Sequence, residues 1–108
     1  MADIDSRTAP RKVLRVRVKI VTQGAKALVG RTLDISLLGL GAMIEEPLPV
    51  GQACMIMMDL LVDGISRQFH AEARVVYSIC SGTAGFRTGF QFFQLSAGNK
   101  ALVNALPG

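Results

Sequence analysis

The chain has 108 residues, half of them hydrophobic and 19% charged, with a formal net charge of +4. That length accommodates one domain around one core, and the apolar share excludes an intrinsically disordered chain. Cys54 and Cys80, the only cysteines, lack CxxC or Cys/His spacing, which argues against a structural zinc site or a redox motif.

Residues 1–10 read as a polar, flexible arm in which Pro10 disfavours helix at Ala9. The arm carries Asp3 and Asp5 and no secretory signal, so a cytoplasmic protein is expected. Residues 11–108 then form the globular domain. Val16, Val18 and Ile20 alternate with Arg15, Arg17 and Lys19, the period-2 signature of a strand with one dry face. After a turn at Gln23-Gly24, a second strand is expected over Leu28 to Leu37, with Leu33, Ile35 and Leu37 inward and Asp34 and Ser36 outward. Gly39 and Gly41 stand inside the following apolar run to Ile44, where glycine signals a bulge, a bend or a close backbone approach.

Glu45 to Gly51, with two prolines and a glycine, is a loop. A strand beginning near Ala53 runs to Val62 and turns at Asp63-Gly64, a two-residue pair that favours a type I′ hairpin. Its three methionines, Met55, Met57 and Met58, read as core packing. The return strand covers Ile65 to Ile79, Ser81 to Gly85 is a mobile loop, and Phe86 to Phe93 is a last strand containing Gly89. Ser96 caps a short terminal helix carrying Leu102, Val103 and Leu106. Short strands with glycine-rich turns give an all-β chain, a small antiparallel barrel. Its longest apolar run, Cys54 to Val62, is interrupted by Asp59 and falls far short of the roughly 20 residues of a membrane span.

Chemistry concentrates near the amino terminus. Arg7, Arg11, Lys12, Arg15, Arg17 and Lys19 make up half of the twelve basic residues and favour an anionic partner. Arg11 and Arg15 are four residues apart, and Asp34, Ser36 and Gly39 follow at the end of the second strand. His70 is isolated, Asp59 and Asp63 have ordinary strand-end and turn uses, and GxSxG, HExxH and GxxxxGK[ST] are absent. A binding module rather than an enzyme is expected, without metal or cofactor.

RxxxR at Arg11 and Arg15, followed by DxSxxG at Asp34, Ser36 and Gly39, resembles the PilZ domain, and the similarity extends over residues 11–95 through the glycine-aromatic pattern Gly89-Phe90-Gln91-Phe92. The resemblance implies a six-stranded antiparallel β-barrel with a C-terminal helix and a ligand, cyclic di-GMP. Arginine forks at Arg11 and Arg15 suit phosphate oxygens or the O6 and N7 acceptors of guanine. Asp34 would accept from the guanine N–H donors, Ser36 would add a hydroxyl contact, and Gly39 would keep the wall bare. Lys12, Pro10 and Gly89 are secondary candidates, Pro10 because the position before RxxxR can influence whether one or two nucleotides stack; Arg17 and Arg31 add positive potential. Ligand would order the arm and create a surface for a downstream protein in motility, biofilm or exopolysaccharide control. Two alternatives stand beside this reading: a nucleotide-independent PilZ interaction module, and a basic barrel binding single-stranded nucleic acid, which the few aromatic residues disfavour.

Overall fold

The computed structural model describes residues 9–108; most of the expected arm, with Asp3, Asp5 and Arg7, lies outside the described residues. Among the described residues seven strands occur in the order β1 (Lys12–Val13), β2 (Arg17–Thr22), β3 (Ala27–Ile35), β4 (Gly39–Ile44), β5 (Ala53–Val62), β6 (Ile65–Cys80) and β7 (Phe86–Phe92), followed by helix α1 (Ala97–Ala105). Hydrogen bonding runs β3-β2-β5-β6-β7-β4, and β4 pairs back onto β3. All pairings are antiparallel, so these six strands close into a barrel. Closure removes the exposed sheet edges that invite association. The extra strand, β1, attaches to the carboxyl-terminal part of β3, where β2 has already parted from it.

Alternation fills the interior. Val18 and Ile20 of β2, Ile56 and Leu60 of β5, Phe69 and Val75 of β6 and Phe90 of β7 are buried together. Phe69 and Phe92 pack as tilted rings with centroids 5.6 Å apart. Of the three clustered methionines only Met58 joins the core; Met55 and Met57 point to the partly exposed outer face because period 2 separates them from it. The Asp63-Gly64 turn has positive φ at both residues, 52° and 78°, as a type I′ turn requires. The loop expected from Ser81 to Gly85 contains a 3₁₀ turn, Gly82–Ala84, closed by a 2.8 Å hydrogen bond from Ser81 N–H to Gly85 C=O.

The main departure from simple alternation is in β3. Thr32 pairs with Ala42 and Asp34 with Gly41, so Leu33 is an extra, bulged residue. Before it, Leu28 and Thr32 face inward; after it, Ile35 does. Leu33 is therefore only half-buried, contrary to the unbroken alternation expected from the sequence. On the other side of β3, the same place is the gap between β1 and β2. Thr32 bridges it: its buried hydroxyl donates to the Leu14 carbonyl at 2.5 Å and accepts from the Val16 amide at 2.9 Å.

Ser96 caps α1 as expected, its Oγ accepting from Asn99 N–H at 3.1 Å. The helix packs on β5 and β6, buries Val103, and is tied to β6 by Asn99 Nδ2 donating to the His70 carbonyl at 2.7 Å. No helix among the described residues is long and apolar enough to cross a membrane.

Two predictions follow from this packing. Thr32→Val keeps shape but strands the Val16 donor and the Leu14 acceptor; denaturant unfolding is expected to show a loss of about 1–3 kcal/mol. Burial pushes the Cys54 thiol up to about 11, while Cys80 is exposed. A thiol reagent at neutral pH is expected to modify Cys80 in the native protein and Cys54 only after denaturant is added, as read by mass spectrometry.

Candidate functional site

Strand register assembles one row across the outside of the barrel. Val13 of β1 faces Asp34 of β3, Asp34 faces Gly41 of β4, Gly41 faces Gly89 of β7, and Gly89 faces Tyr77 of β6. Directly opposed residues share a face of the sheet. The row is thus a strip in which an acidic side chain and a phenol ring lie over two buried glycines, with exposed Val13 beyond the acid.

Each member has a local cause. Asp34 would follow Thr32 into the core if β3 alternated without interruption; the Leu33 bulge turns it outward, a use of bulges common beside functional sites. A Cβ on Gly41 would stand 2.6 Å from Asp34 Oδ1 and 3.9 Å from Arg11 Nη2, so glycine makes room for both. A Cβ on Gly89 would collide with the Tyr77 ring, which lies over the strand at that position. A second register shift, which leaves Val76 unpaired in β6, brings Tyr77 opposite Gly89.

Arg11 Nη2 donates to Asp34 Oδ1 at 2.7 Å. This bond is the largest influence holding the Asp34 carboxyl below its ordinary range; partial burial opposes it, and the charges of Arg11 and Arg87 with the Gly41 amide reinforce it. The same bond raises Arg11. In the neighbouring row Arg31, Met43, Arg87 and Ile79 are successive partners, which sets two further cations beside the strip. Arg74, beyond the other edge, donates from Nε and Nη2 to Gln91 Oε1 at 3.2 and 2.9 Å.

The residues singled out from sequence divide into those on the strip and those supporting it. Arg11, Asp34 and Gly89 are on it. Arg15 is exposed between β1 and β2 and makes no side-chain hydrogen bond or ion pair among the described residues. Pro10 is exposed immediately before Arg11. Ser36 is buried rather than outward: its Oγ accepts from the Leu38 and Gly39 amides at 3.1 and 3.3 Å, shaping the β3–β4 turn. Glycine at position 39 leaves room for the Phe90 carbonyl oxygen, with which a Cβ there would collide. Lys12 faces away from the strip, its ammonium bound to the end of α1. Tyr77 and Arg87 escaped the sequence reading, and Gly41 entered it only as a glycine in a strand pattern that signals a bend or a close backbone approach.

A separate groove of about 610 Å³ on the β3–β2–β5–β6 wall is lined by Arg17, Lys19, Val29, Met57 and His70 among others. It shares no residue with the strip.

The Arg11–Asp34 pair is partly exposed, with side-chain exposures of 50% and 27%, which limits its worth to about 1 kcal/mol or less. Because Asp34 is held low in the folded state, that stability is present above the unfolded carboxyl pKa of about 3.9 and is lost as pH falls through the folded value. Asp34→Asn is expected to cost at most about 1 kcal/mol at pH 7 in urea unfolding, with the difference from wild type shrinking below about pH 4.

A family model described as PilZ domain matches residues 5–106. No curated protein shows a significant match. Among solved structures, the inhibitor of motility MotI/DgrA of Bacillus subtilis superposes with a TM-score of 0.77 at 20% identity, over 91% of this chain and 48% of that one. The chain therefore spans about half the length of that protein. The PilZ domain of CeSA from a cellulose-synthesizing bacterium gives a TM-score of 0.66 at 18% identity, covering 89% of this chain and 92% of that one. The PilZ domain of YcgR from Escherichia coli, solved with c-di-GMP, gives 0.64 at 19% identity, covering 92% and 86%. At these identities the likeness is one of fold. With a six-stranded closed barrel, a terminal helix and a family match over nearly its whole length, the chain belongs to the PilZ domain family.

Proposed function

We propose that the chain is a receptor module for cyclic di-GMP, acting in the cytoplasm, with the strip from Asp34 to Tyr77 as its binding surface. The observation that carries this reading is the row itself: an acid beside an arginine and an aromatic ring, each seated over a glycine, in register across four strands. Family membership and the cyclic di-GMP named with the YcgR domain support it.

Guanine presents N1–H and N2–H donors on one edge and O6 and N7 acceptors on another. Asp34, ionised at neutral pH, accepts from the donor edge; an arginine fork serves the acceptor edge or a phosphate. The base meets Asp34 and the Tyr77 ring, which cover Gly41 and Gly89; the two glycines serve by letting those side chains lie close to the sheet. Arg15 is the second fork, and Arg87 and Arg31 add positive potential for the two phosphates.

Binding requires Arg11 and Asp34 to exchange each other for the ligand. The exchange is favourable in magnitude: the exposed pair is worth at most about 1 kcal/mol, whereas each hydrogen bond made to a charged group contributes about 1.5–3 kcal/mol. Adenine would offer Asp34 the wrong donor pattern. Ordering of the residues around Arg11 and Arg15 then supplies a surface that a downstream protein reads.

Calorimetry with cyclic di-GMP tests the reading. Arg11→Ala and Asp34→Ala are each expected to lose about 1–3 kcal/mol, roughly a 5- to 150-fold rise in Kd, with folding retained. Tyr77 is the single tyrosine and the chain has no tryptophan, so ligand is also expected to change the intrinsic tyrosine emission. Saturable binding of a single-stranded oligonucleotide at moderate salt, with no heat from cyclic di-GMP, would instead support the basic-barrel alternative.

A further inference from the structure

Arg11 and Lys12 are neighbours in sequence whose side chains go to opposite places. Arg11 reaches Asp34 on the strip, and Lys12 Nζ donates to three carbonyls at the carboxyl end of α1: Val103 at 2.9 Å, Asn104 at 3.1 Å and Leu106 at 2.6 Å. The Val103 carbonyl also accepts from the Leu106 N–H at 3.2 Å, whereas Asn104 and the C-cap Leu106 lie where a helix end leaves carbonyls without intrahelical partners, and an ammonium with three protons reaches all three. The helix end also carries the negative pole of the aligned peptide dipoles, which favours a cation there. Val103 and Leu106 are buried, so the carbonyls that Lys12 grips belong to residues already fixed against the core. The Lys12 stem lies against the chain end as well: a Cβ on Gly108 would stand 3.0 Å from Lys12 Cγ.

β1 itself is two residues long and pairs with β3 only at Lys12–Ile35 and Val13–Asp34. A strand this short provides little holding power of its own. The Lys12 grip on α1 is therefore a principal restraint on the segment that carries Arg11.

From this we propose that Lys12 is a positioning residue for the nucleotide site: by fastening β1 to the end of α1, it sets the reach of Arg11 and couples the terminal helix to ligand occupancy. The proposal rests on the receptor reading above. Coupling is reciprocal by thermodynamic necessity, so if a fastened helix end strengthens ligand binding, ligand must stabilise the fastened helix end by the same factor. The terminal helix thus becomes a second place, besides the amino-terminal segment, where occupancy is expressed.

The test combines calorimetry with amide exchange by NMR on the full chain, for wild type, Lys12→Met and Lys12→Arg. Lys12→Met is expected to bind cyclic di-GMP at least about fivefold more weakly, with faster exchange at residues 103–106 before any ligand is added. Lys12→Arg, which can also donate to the carbonyls, is expected to recover most of the affinity. Ligand should slow exchange at 103–106 in wild type but not in Lys12→Met. A loss of affinity that vanishes at high salt would mark Lys12 as a mere contributor of charge and overturn the proposal. Equal affinity of folded Lys12→Met and wild type would overturn it while leaving the receptor reading intact. No binding by wild type would sink both, and only that outcome would.

Discussion

The bulge at Leu33, held in place by the Thr32 hydroxyl, is the feature on which the candidate site depends. One extra residue reverses the phase of β3, so a strand that buries Leu28 and Thr32 can present Asp34 to solvent and then bury Ile35. The same step leaves room on the opposite side of β3 for β2 to end its pairing and β1 to begin. Thr32 satisfies the two backbone groups that this break exposes. Without that satisfaction, two partly buried polar groups would together cost about 1–3 kcal/mol, more than the exposed ion pair at the site could offset.

Once Asp34 is outside, barrel closure does the rest. β4 and β7 are far apart in sequence, yet their pairing puts Gly41 opposite Gly89 and extends the row to Tyr77. The two glycines are a cost to strand stability that no core requirement explains at their outer face. Each instead makes space for a polar or aromatic neighbour. The site is therefore a product of register across four strands.

Residues 11–13 are tied to the barrel at several places. Arg11, Lys12 and Val13 are held by Asp34, by the end of α1 and by the edge of β3 respectively. A segment fastened at several weak points, each worth about 1 kcal/mol, suits a role in which ligand replaces one contact without unfolding the domain. It also links the two chain ends, which sequence separates by nearly the full length of the domain.

Much was legible without coordinates. Period-2 alternation located most strands, Asp63-Gly64 marked its hairpin, Ser96 marked the helix start, and the spacing of Arg11, Arg15, Asp34, Ser36 and Gly39 pointed to the family. These features are local: each depends on residues a few positions apart and on the backbone geometry they favour. Tertiary structure alone decided that Ser36 and Gly39 shape a turn, that Lys12 serves the helix, and that Gly41, Gly89 and Tyr77 lie beside Asp34. The reason is that a strand pattern specifies which way side chains alternate but not which strand becomes the neighbour or where a bulge shifts the phase, and those are settled only when the barrel closes on itself.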